Sequence, residues 1–163
     1  MIKEQLKKIE IGTVKSQDIS EKEAKIIFLG IGSNLGLRKK NIELAKFHLS
    51  QNNLRFISVS SYYETPSWPD PKNPKFLNIV LKLQCNLNPF DLLNVCKSIE
   101  LKLGRTKSTK NAPRVCDIDI IDFNGIIKTT KLLNLPHPRS HTRNFVLYPI
   151  MEIDPKWIHP ILK

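Results

Sequence analysis

The chain has 163 residues, of which 40% are apolar and 25% charged, a composition that fits one soluble globular domain and excludes a disordered chain. Its 26 Lys and Arg residues against 15 Asp and Glu residues leave a formal net charge of +11. Residues 1–25 hold six lysines and five acids, so the excess lies in the rest of the chain. We expect an anionic partner: nucleic acid, a membrane surface or a phosphorylated small molecule.

The cysteines and the apolar runs indicate the compartment. The three cysteines form no CxxC pair, and their odd number predicts buried thiols rather than a disulfide framework or a zinc site. No apolar run approaches the roughly 18 residues of a membrane span. The N-terminal segment also lacks the apolar core of a signal peptide. We therefore expect a cytoplasmic protein that makes no membrane contact.

The first predicted element of the fold is a buried strand. Residues 1–24 are polar and aperiodic, so we expect an N-terminal extension, loose or briefly helical, before a domain formed by residues 25–163. Residues 25–32, KIIFLGIG, form a continuous apolar run that predicts a central strand.

The glycines that end this run resemble a dinucleotide-binding loop, but their GxGxxxG spacing departs from it. A tight turn capped by Ser33 and Asn34 is the simpler interpretation, before helical spacing over residues 37–50.

Strands and loops then alternate with a second helix. Residues 54–62 alternate as a strand, four prolines make residues 64–75 a long loop, and residues 76–86 alternate again. Asn88 and Pro89 begin a helix that stops at Gly104.

The second half of the chain completes a recognisable order of elements. Residues 105–114 form a basic loop, residues 115–123 predict a strand, and the rest is punctuated by prolines. The order is βαββαβ, which predicts the α+β class: a ferredoxin-like antiparallel sheet with helices packed on it, plus a proline-rich C-terminal tail.

Two carboxylates on the last predicted strand are the sharpest chemical signal. Side chains alternate along a strand, so Asp117 and Asp119 share one face while Ile118 and Ile120 share the other. Carboxylates about 7 Å apart repel unless a cation lies between them, and Mg²⁺ prefers such ligands and brings phosphates with it. From this pattern alone, an exposed polar edge is the simpler interpretation. Asp122 has the opposite parity, which predicts a turn or surface residue.

Cationic residues flank the carboxylates on both sides and favour a metal–triphosphate site over a merely solvated face. They are Lys102, Arg105, Lys107, Lys110 and Arg114 before the pair, and His137, Arg139, His141 and Arg143 after it. Phe145 follows closely, so this last loop combines groups that hold phosphate with a ring that stacks on a flat ligand.

Several segments together resemble the 6-hydroxymethyl-7,8-dihydropterin pyrophosphokinase family. The most specific ones are PRVCDIDIIDFNG at residues 113–125 and LPHPRSHTRNFVL at residues 135–147. The others are LGIGSNLG at 29–36, SYYETP at 61–66, FLN at 76–78 and IELKLGR at 99–105.

The resemblance implies that a pyrophosphoryl group passes from ATP to the hydroxymethyl group of the pterin in folate biosynthesis, releasing AMP. It implies two Mg²⁺ ions held by Asp117 and Asp119, which are catalytic together with Arg105 and Arg114. It also implies two sets of substrate-binding residues. Those for ATP are Arg105, Lys107, Lys110, Arg114, Ile118, His137 and Arg143, and those for the pterin are Thr65, Pro66, Trp68, Phe76, Asn78 and Phe145.

Two other functions stay open on the residues alone. A basic ferredoxin-like domain that binds RNA or DNA fits the charge and the fold, although no segment matches the aromatic pattern of such modules and the paired carboxylates would repel a phosphate backbone. A non-catalytic regulatory domain that binds a small ligand also fits. The resemblance favours a monomeric enzyme that acts on ATP and the pterin without nucleic acid. The basic loop departs from the family pattern, which leaves the roles of Lys107 and Lys110 open.

Overall fold

An antiparallel sheet organises the chain. The structure, a computed structural model, describes residues 24–106, 109 and 111–163. Within that part of the chain the elements, in order, are β1 (Lys25–Ser33), α1 (Arg38–Ser50), β2 (Arg55–Val59), β3 (Tyr63–Thr65), β4 (Phe76–Cys85), α2 (Pro89–Lys102), β5 (Asp117–Phe123), β6 (Lys128–Thr129), β7 (Asn134–Leu135), a 3₁₀ turn (Ser140–Thr142) and α3 (Asn144–Ile153).

The sheet has the split arrangement that the element order predicts. Its strands lie in the order β2-β4-β1-β5, with β3 also paired to β4, and every pair is antiparallel. Helices α1 and α2 cover one face, where their apolar residues and those of the four long strands form the larger core. The ferredoxin-like βαββαβ sheet is thereby confirmed, and β6 and β7 add a separate small hairpin.

Strand β1 is central, as its continuous apolar run predicts, and its two faces differ. Ile27, Leu29 and Ile31 are buried under the helices, whereas Gly30 and Gly32 belong to the opposite face. The predicted tight turn does not begin at Gly30 or Gly32 but lies further along the chain, where residues 35–37 bend and Gly36 has a φ of 62°. Gly30 and Gly32 are paired on each side, with β4 and with β5, so the strand continues to Ser33.

The region after β5 contains more regular structure than the predicted proline-rich tail implies. It contains the β6–β7 hairpin and α3, whose residues Val146 and Ile150 pack on Phe28 and Val80 in a second core. Pro149 lies inside α3 and removes one helical hydrogen bond. Because Val146, Pro149 and Ile150 recur at helical spacing and are all buried, apolar burial outweighs that loss.

Asp122 joins this second layer to the sheet. Its Oδ2 atom accepts a 2.8 Å hydrogen bond from Trp157 Nε1, and its Oδ1 atom accepts one from the Gly125 N–H. Asp122 therefore stabilises a turn, as predicted. It does not lie on the surface, because the residue is buried. An irregularity between Phe28 and Leu29 in the β1–β5 pairing shifts the parity there, so the alternation that holds for Asp117 and Asp119 does not extend to Asp122.

The sequence also predicts an N-terminal extension and no membrane span. Of the predicted extension, residues 1–24, all but Ala24 lies outside the described residues, so the domain boundary stays a prediction. No helix in the described ranges is long and apolar enough to cross a membrane.

Cys85, Cys96 and Cys116 are buried and free, as predicted. Burial raises the pKa of Cys96 and Cys116 to about 12, which keeps both thiols neutral.

The packing of α3 is tested by two adjacent substitutions. Ile150 is buried in the second core, whereas its neighbour Met151 is exposed. We expect Ile150→Ala to lower the free energy of unfolding by about 2–5 kcal/mol. Met151→Ala should change it by less than about 0.5 kcal/mol, because its side chain leaves no cavity. Urea unfolding of both variants measures the difference, and equal small effects would show that α3 does not pack as described.

Candidate active site

The floor of the site is the open face of the sheet. Gly32 lies between Asn78 on β4 and Asp117 on β5, and Gly30 lies between Val80 and Asp119. A Cβ atom at Gly32 would come within 3.0 Å of Asn78 Oδ1 and 3.4 Å of Phe76 Cδ1. The missing side chain of Gly32 therefore leaves space between the amide of Asn78 and the carboxylates of β5, whereas the Ile121 side chain lies over Gly30.

Two adjoining cavities open above this floor. The first has a volume of about 510 Å³, and its lining includes all six residues predicted to bind a pterin: Thr65, Pro66, Trp68, Phe76, Asn78 and Phe145. The second has a volume of about 770 Å³ and lies toward α2 and Arg105. Both cavities are lined by one set of residues, called here the shared wall: Asn111, Arg114, Asp117, Asp119, His137, Arg139 and Arg143.

Asn78 is held in a defined orientation at the floor of the first cavity. Its Nδ2 atom donates to Thr65 Oγ1 at 3.0 Å and to the Tyr63 carbonyl at 3.3 Å. With its donors occupied, its Oδ1 atom is the part that faces Gly32 and the cavity. The side chain is therefore set to accept a hydrogen bond from a ligand.

Asp117 is enclosed by two arginines. Arg105 Nη1 lies 2.7 Å from Oδ1, and Arg114 Nη2 lies 2.5 Å from Oδ2. Burial opposes ionisation of this carboxyl, but the charges of Arg114 and Arg105 outweigh it and hold the pKa of Asp117 below its ordinary value. Asp117 is thus ionised and already hydrogen-bonded through both oxygens.

Asp119 is less closely paired with cations than Asp117. Its side chain is 39% exposed to the cavity, and its nearest cations are Arg143 at 3.6 Å and His137 at 3.9 Å. Desolvation, followed by the negative charge of Asp117, raises the pKa of Asp119 above its ordinary value. The same surroundings act on His137, where burial lowers the pKa despite the nearby Asp119. Asp119 is therefore a carboxylate that lacks enough positive charge.

The pair of carboxylates suits a hard divalent cation. Both side chains point into the cavities from one face of β5 while Ile118 and Ile120 are buried in the core, as strand alternation predicts. No group of three or more His, Cys, Asp or Glu side chains that could hold a metal occurs in the described ranges. Two carboxylates with phosphate and water as the remaining ligands is the donor set that Mg²⁺ usually takes.

Arg105 depends on a buried acid that the sequence analysis did not assign a role. Glu100 on α2 has a side chain only 2% exposed and lies 2.7 Å from Arg105 Nη1. Its Oε1 atom also accepts a 2.7 Å hydrogen bond from the Ile118 N–H. Glu100 therefore ties α2, the start of the basic loop and β5 together. Helical spacing gives no signal for it, because the adjacent Ile99 is the residue expected in the core.

Asn34 is a second residue whose role differs from its prediction. It is not a helix cap, since α1 begins after Leu37 without a side-chain cap. Its Oδ1 atom accepts from the Arg114 N–H at 2.7 Å, and its Nδ2 atom donates to Ser67 Oγ and to the Pro74 carbonyl. Asn34 thus links the proline-rich loop to the segment that carries Arg114.

Four of the seven residues predicted to bind ATP line the two cavities. Arg114, His137 and Arg143 belong to the shared wall, and Arg105 lines the second cavity. Lys107 and Lys110 lie outside the described residues. The Ile118 side chain is buried in the core and its N–H is bonded to Glu100, so this side chain does not line either cavity.

Comparison with known proteins gives one consistent family. A family model described as 7,8-dihydro-6-hydroxymethylpterin-pyrophosphokinase matches residues 28–155. The chain is 39% identical over 137 residues to the 2-amino-4-hydroxy-6-hydroxymethyldihydropteridine pyrophosphokinase of Aquifex aeolicus, covering 84% of this chain and 85% of that protein. It is also 39% identical over 152 residues to the folic acid synthesis protein FOL1 of Dictyostelium discoideum, of which it spans only 23%.

Solved structures agree on the fold. The HPPK-DHPS crystal structure from Plasmodium falciparum superposes with a TM-score of 0.66 at 18% identity, covering 86% of this chain and 43% of that chain. At this level of identity the likeness concerns the fold alone.

The coupling between the two carboxylates is testable by titration. Without divalent cations, we expect Asp119 to take up its proton at a higher pH than an ordinary carboxyl, and Asp117 at a lower one. Asp117→Asn should lower the pKa of Asp119, because it removes a neighbouring negative charge and leaves the two arginines unpaired. NMR titration of the carboxyl carbons measures this, with Asp91→Asn on α2 as the control. An unchanged pKa of Asp119 in the Asp117 variant would show that the pair is not coupled.

Proposed function

Since the chain belongs to the 7,8-dihydro-6-hydroxymethylpterin-pyrophosphokinase family, we propose that it transfers a pyrophosphoryl group from ATP to the hydroxymethyl group of 6-hydroxymethyl-7,8-dihydropterin in folate biosynthesis. The new bond joins the hydroxymethyl oxygen to the β-phosphorus, and AMP leaves when the bond between the β-phosphorus and the α,β-bridging oxygen breaks. One observation carries this proposal: a cavity lined by aromatic side chains and a cavity lined by Arg105 meet at Asp117 and Asp119.

The first cavity is proposed to hold the pterin. Phe76 and Phe145 lie on its walls and are proposed to stack on the flat heterocycle in place of the Arg114 and Arg143 guanidinium groups, which lie 5.1 Å and 5.3 Å from their ring centres. Thr65, Pro66 and Trp68 complete the lining. Asn78 Oδ1 faces the cavity and suits the amino or ring N–H donors of a pterin edge. The hydroxymethyl group would then point toward the shared wall.

The second cavity and the shared wall are proposed to hold the nucleotide. Arg105, Arg114, His137 and Arg143 surround the place where the phosphates would lie. Guanidinium groups donate two parallel hydrogen bonds to phosphate oxygens, so these arginines suit the neutralisation of charge that develops on the leaving oxygen. Lys107 and Lys110 stay proposed ATP contacts, whereas Ile118 does not, because it lines neither cavity and its N–H is bonded to Glu100.

Asp117 and Asp119 would hold two Mg²⁺ ions with the triphosphate. When bound, the ions would polarise the β-phosphorus and neutralise the phosphate oxygens. Asp119 has an exposed carboxylate ready for a cation, whereas both oxygens of Asp117 accept bonds from Arg105 and Arg114. Binding therefore requires these two arginines to turn from Asp117 to the phosphates, an exchange of one anion for another at little electrostatic cost.

A nucleic-acid-binding function is not favoured. The cations that flank the carboxylates converge inside a concave wall, where Asp117 and Asp119 would face and repel a polymer backbone. We propose that the protein acts on two small molecules, as a monomer and in the cytoplasm.

The reaction products test the proposed function. With ATP, Mg²⁺ and 6-hydroxymethyl-7,8-dihydropterin, we expect AMP and the pterin diphosphate, and no AMP when the pterin is omitted. Chromatography of the nucleotides distinguishes the outcomes. Formation of ADP would mean single phosphoryl transfer, and binding without any turnover would support a regulatory domain instead.

The carboxylates are tested by isosteric substitution. We expect Asp119→Asn to lower kcat about a hundredfold to a thousandfold, because the neutral amide is a poor ligand for Mg²⁺. Asp91→Asn, which also removes one negative charge but on the first turn of α2, should keep the wild-type rate. Wild-type turnover by the Asp119 variant would exclude it from the metal site.

The bare floor of the first cavity gives a further prediction. In Gly32→Ala, the new methyl group would press on Asn78 Oδ1, whose amide is tied to β3 and cannot turn freely. We expect the dissociation constant for the pterin to rise about tenfold, since overfilling a packed site costs of the order of 1 kcal/mol or more. Calorimetry measures this, with affinity for an ATP analogue as the internal control. Equal losses for both ligands would indicate a general distortion.

A further inference from the structure

Arg139 in the shared wall contacts both halves of the site. In the sequence it is one of several flanking charges, and no substrate is assigned to it. In the structure its side chain lines both cavities, and its guanidinium carbon lies 5.5 Å from the centre of the Trp68 ring. That distance is within the range of a cation–π interaction.

Arg139 differs from the other arginines of the shared wall in its electrostatic surroundings. Arg105 and Arg114 are paired with Asp117, and Arg143 lies 3.6 Å from Asp119. Across the residues that the structure describes, no carboxylate lies within 4 Å of the Arg139 guanidinium. Burial lowers the pKa of Arg143, and the nearby charge of Arg139 lowers it further. The wall near Arg139 therefore has an excess of positive charge that an anionic ligand would relieve.

Trp68 in turn has little else to hold it. Its side chain is 67% exposed, although it lies on the lining of the first cavity. Asn34 fixes the base of its loop through Ser67 and Pro74, but these bonds do not reach the indole ring. The guanidinium of Arg139 is the cation that the structure places against that ring.

The main chain of Arg139 is well anchored. Its N–H donates to His137 Nδ1 at 3.1 Å, and its carbonyl accepts from Thr142 Oγ1 at 3.2 Å. The side chain therefore extends from a fixed point toward the ring. A guanidinium group can stack on a ring with its face while its edge donates hydrogen bonds in the plane, so it can serve Trp68 and a phosphate at once.

We propose that Arg139 binds the phosphates of the nucleotide through the edge of its guanidinium and, through its face, positions Trp68 over the pterin cavity. This role rests on the proposed function, because it assigns the two cavities to ATP and the pterin. Arg139 is then one residue through which occupation of one cavity affects the other, because a phosphate that orders Arg139 also orders the Trp68 ring beside the pterin. Arg114 over Phe76 and Arg143 over Phe145 make similar contacts with the other two rings.

Three variants separate the two contacts. Arg139→Gln removes the charge, Arg139→Lys keeps the charge without the planar face, and Trp68→Leu keeps an apolar side chain without the ring. Equilibrium dissociation constants are measured for the Mg²⁺ complex of a non-hydrolysable ATP analogue, and for the pterin with that analogue present. Arg55→Gln, an exposed arginine on β2 away from both cavities, is the matched control and should change neither constant.

We expect Arg139→Gln to weaken both ligands by about threefold to tenfold, in keeping with one charge-assisted contact and one cation–π contact. Arg139→Lys should restore the nucleotide affinity but not the pterin affinity. Trp68→Leu should weaken the pterin alone, and the double variant Arg139→Gln with Trp68→Leu should bind the pterin no worse than Trp68→Leu, because both changes remove the same contact.

The outcomes distinguish this proposal from the function on which it rests. Unchanged affinities in Arg139→Gln, or multiplied effects on pterin affinity in the double variant, would overturn the role of Arg139. A lower melting temperature with unchanged affinities would show a structural role and would overturn it as well. If the wild-type protein bound neither ligand, the proposed function would fail first.

Discussion

At Gly30 and Gly32 the central strand has no side chains on its open face, and the rest of the site depends on this gap. The flanking strands place Asn78 on one side of it and Asp117 and Asp119 on the other. Any Cβ atom at Gly32 would occupy the space between them. The helices on the opposite face keep this arrangement rigid, because Ile27, Leu29 and Ile31 of the same strand are buried beneath them. Strand β1 thus contributes apolar side chains to the core on one face and leaves space for the site on the other.

The electrostatics of the site follow from placing two carboxylates on that floor. Two arginines satisfy Asp117, whereas Asp119 is left with more distant cations and a raised pKa. Glu100, Asn34 and the strand pairing fix the segments that carry these charged groups. Under the proposed function, a metal and phosphates would supply the missing charges and become the new partners of the arginines.

Strand alternation correctly predicted that Asp117 and Asp119 share one face of β5, because both lie in a regular stretch of the β1–β5 pairing. It failed for Asp122, just past an irregularity that no sequence pattern marks. It also gave no account of Glu100, since burial of that acid depends on partners from two other segments. Pro149 gave a similarly misleading signal, because a proline predicts a break where the structure has helix α3. Packing on a second core, which forms only on the folded sheet, outweighs the effect of the proline.

The net charge of +11 is a weaker guide to the site than it first suggests. Around the two cavities, four arginines and Lys97 face three carboxylates, so the described lining has a formal charge of only about +2 without its ligands. The excess therefore lies mostly on the rest of the surface. Under the proposed function, the alternation of acids and bases at hydrogen-bonding distance would suit the wall to a metal–triphosphate complex. An incoming phosphate would replace Asp117 as the partner of an arginine, and a cation would bind the freed carboxylate. A surface of uniformly positive charge would attract phosphates of any kind, but it has no carboxylates with which to bind the cation.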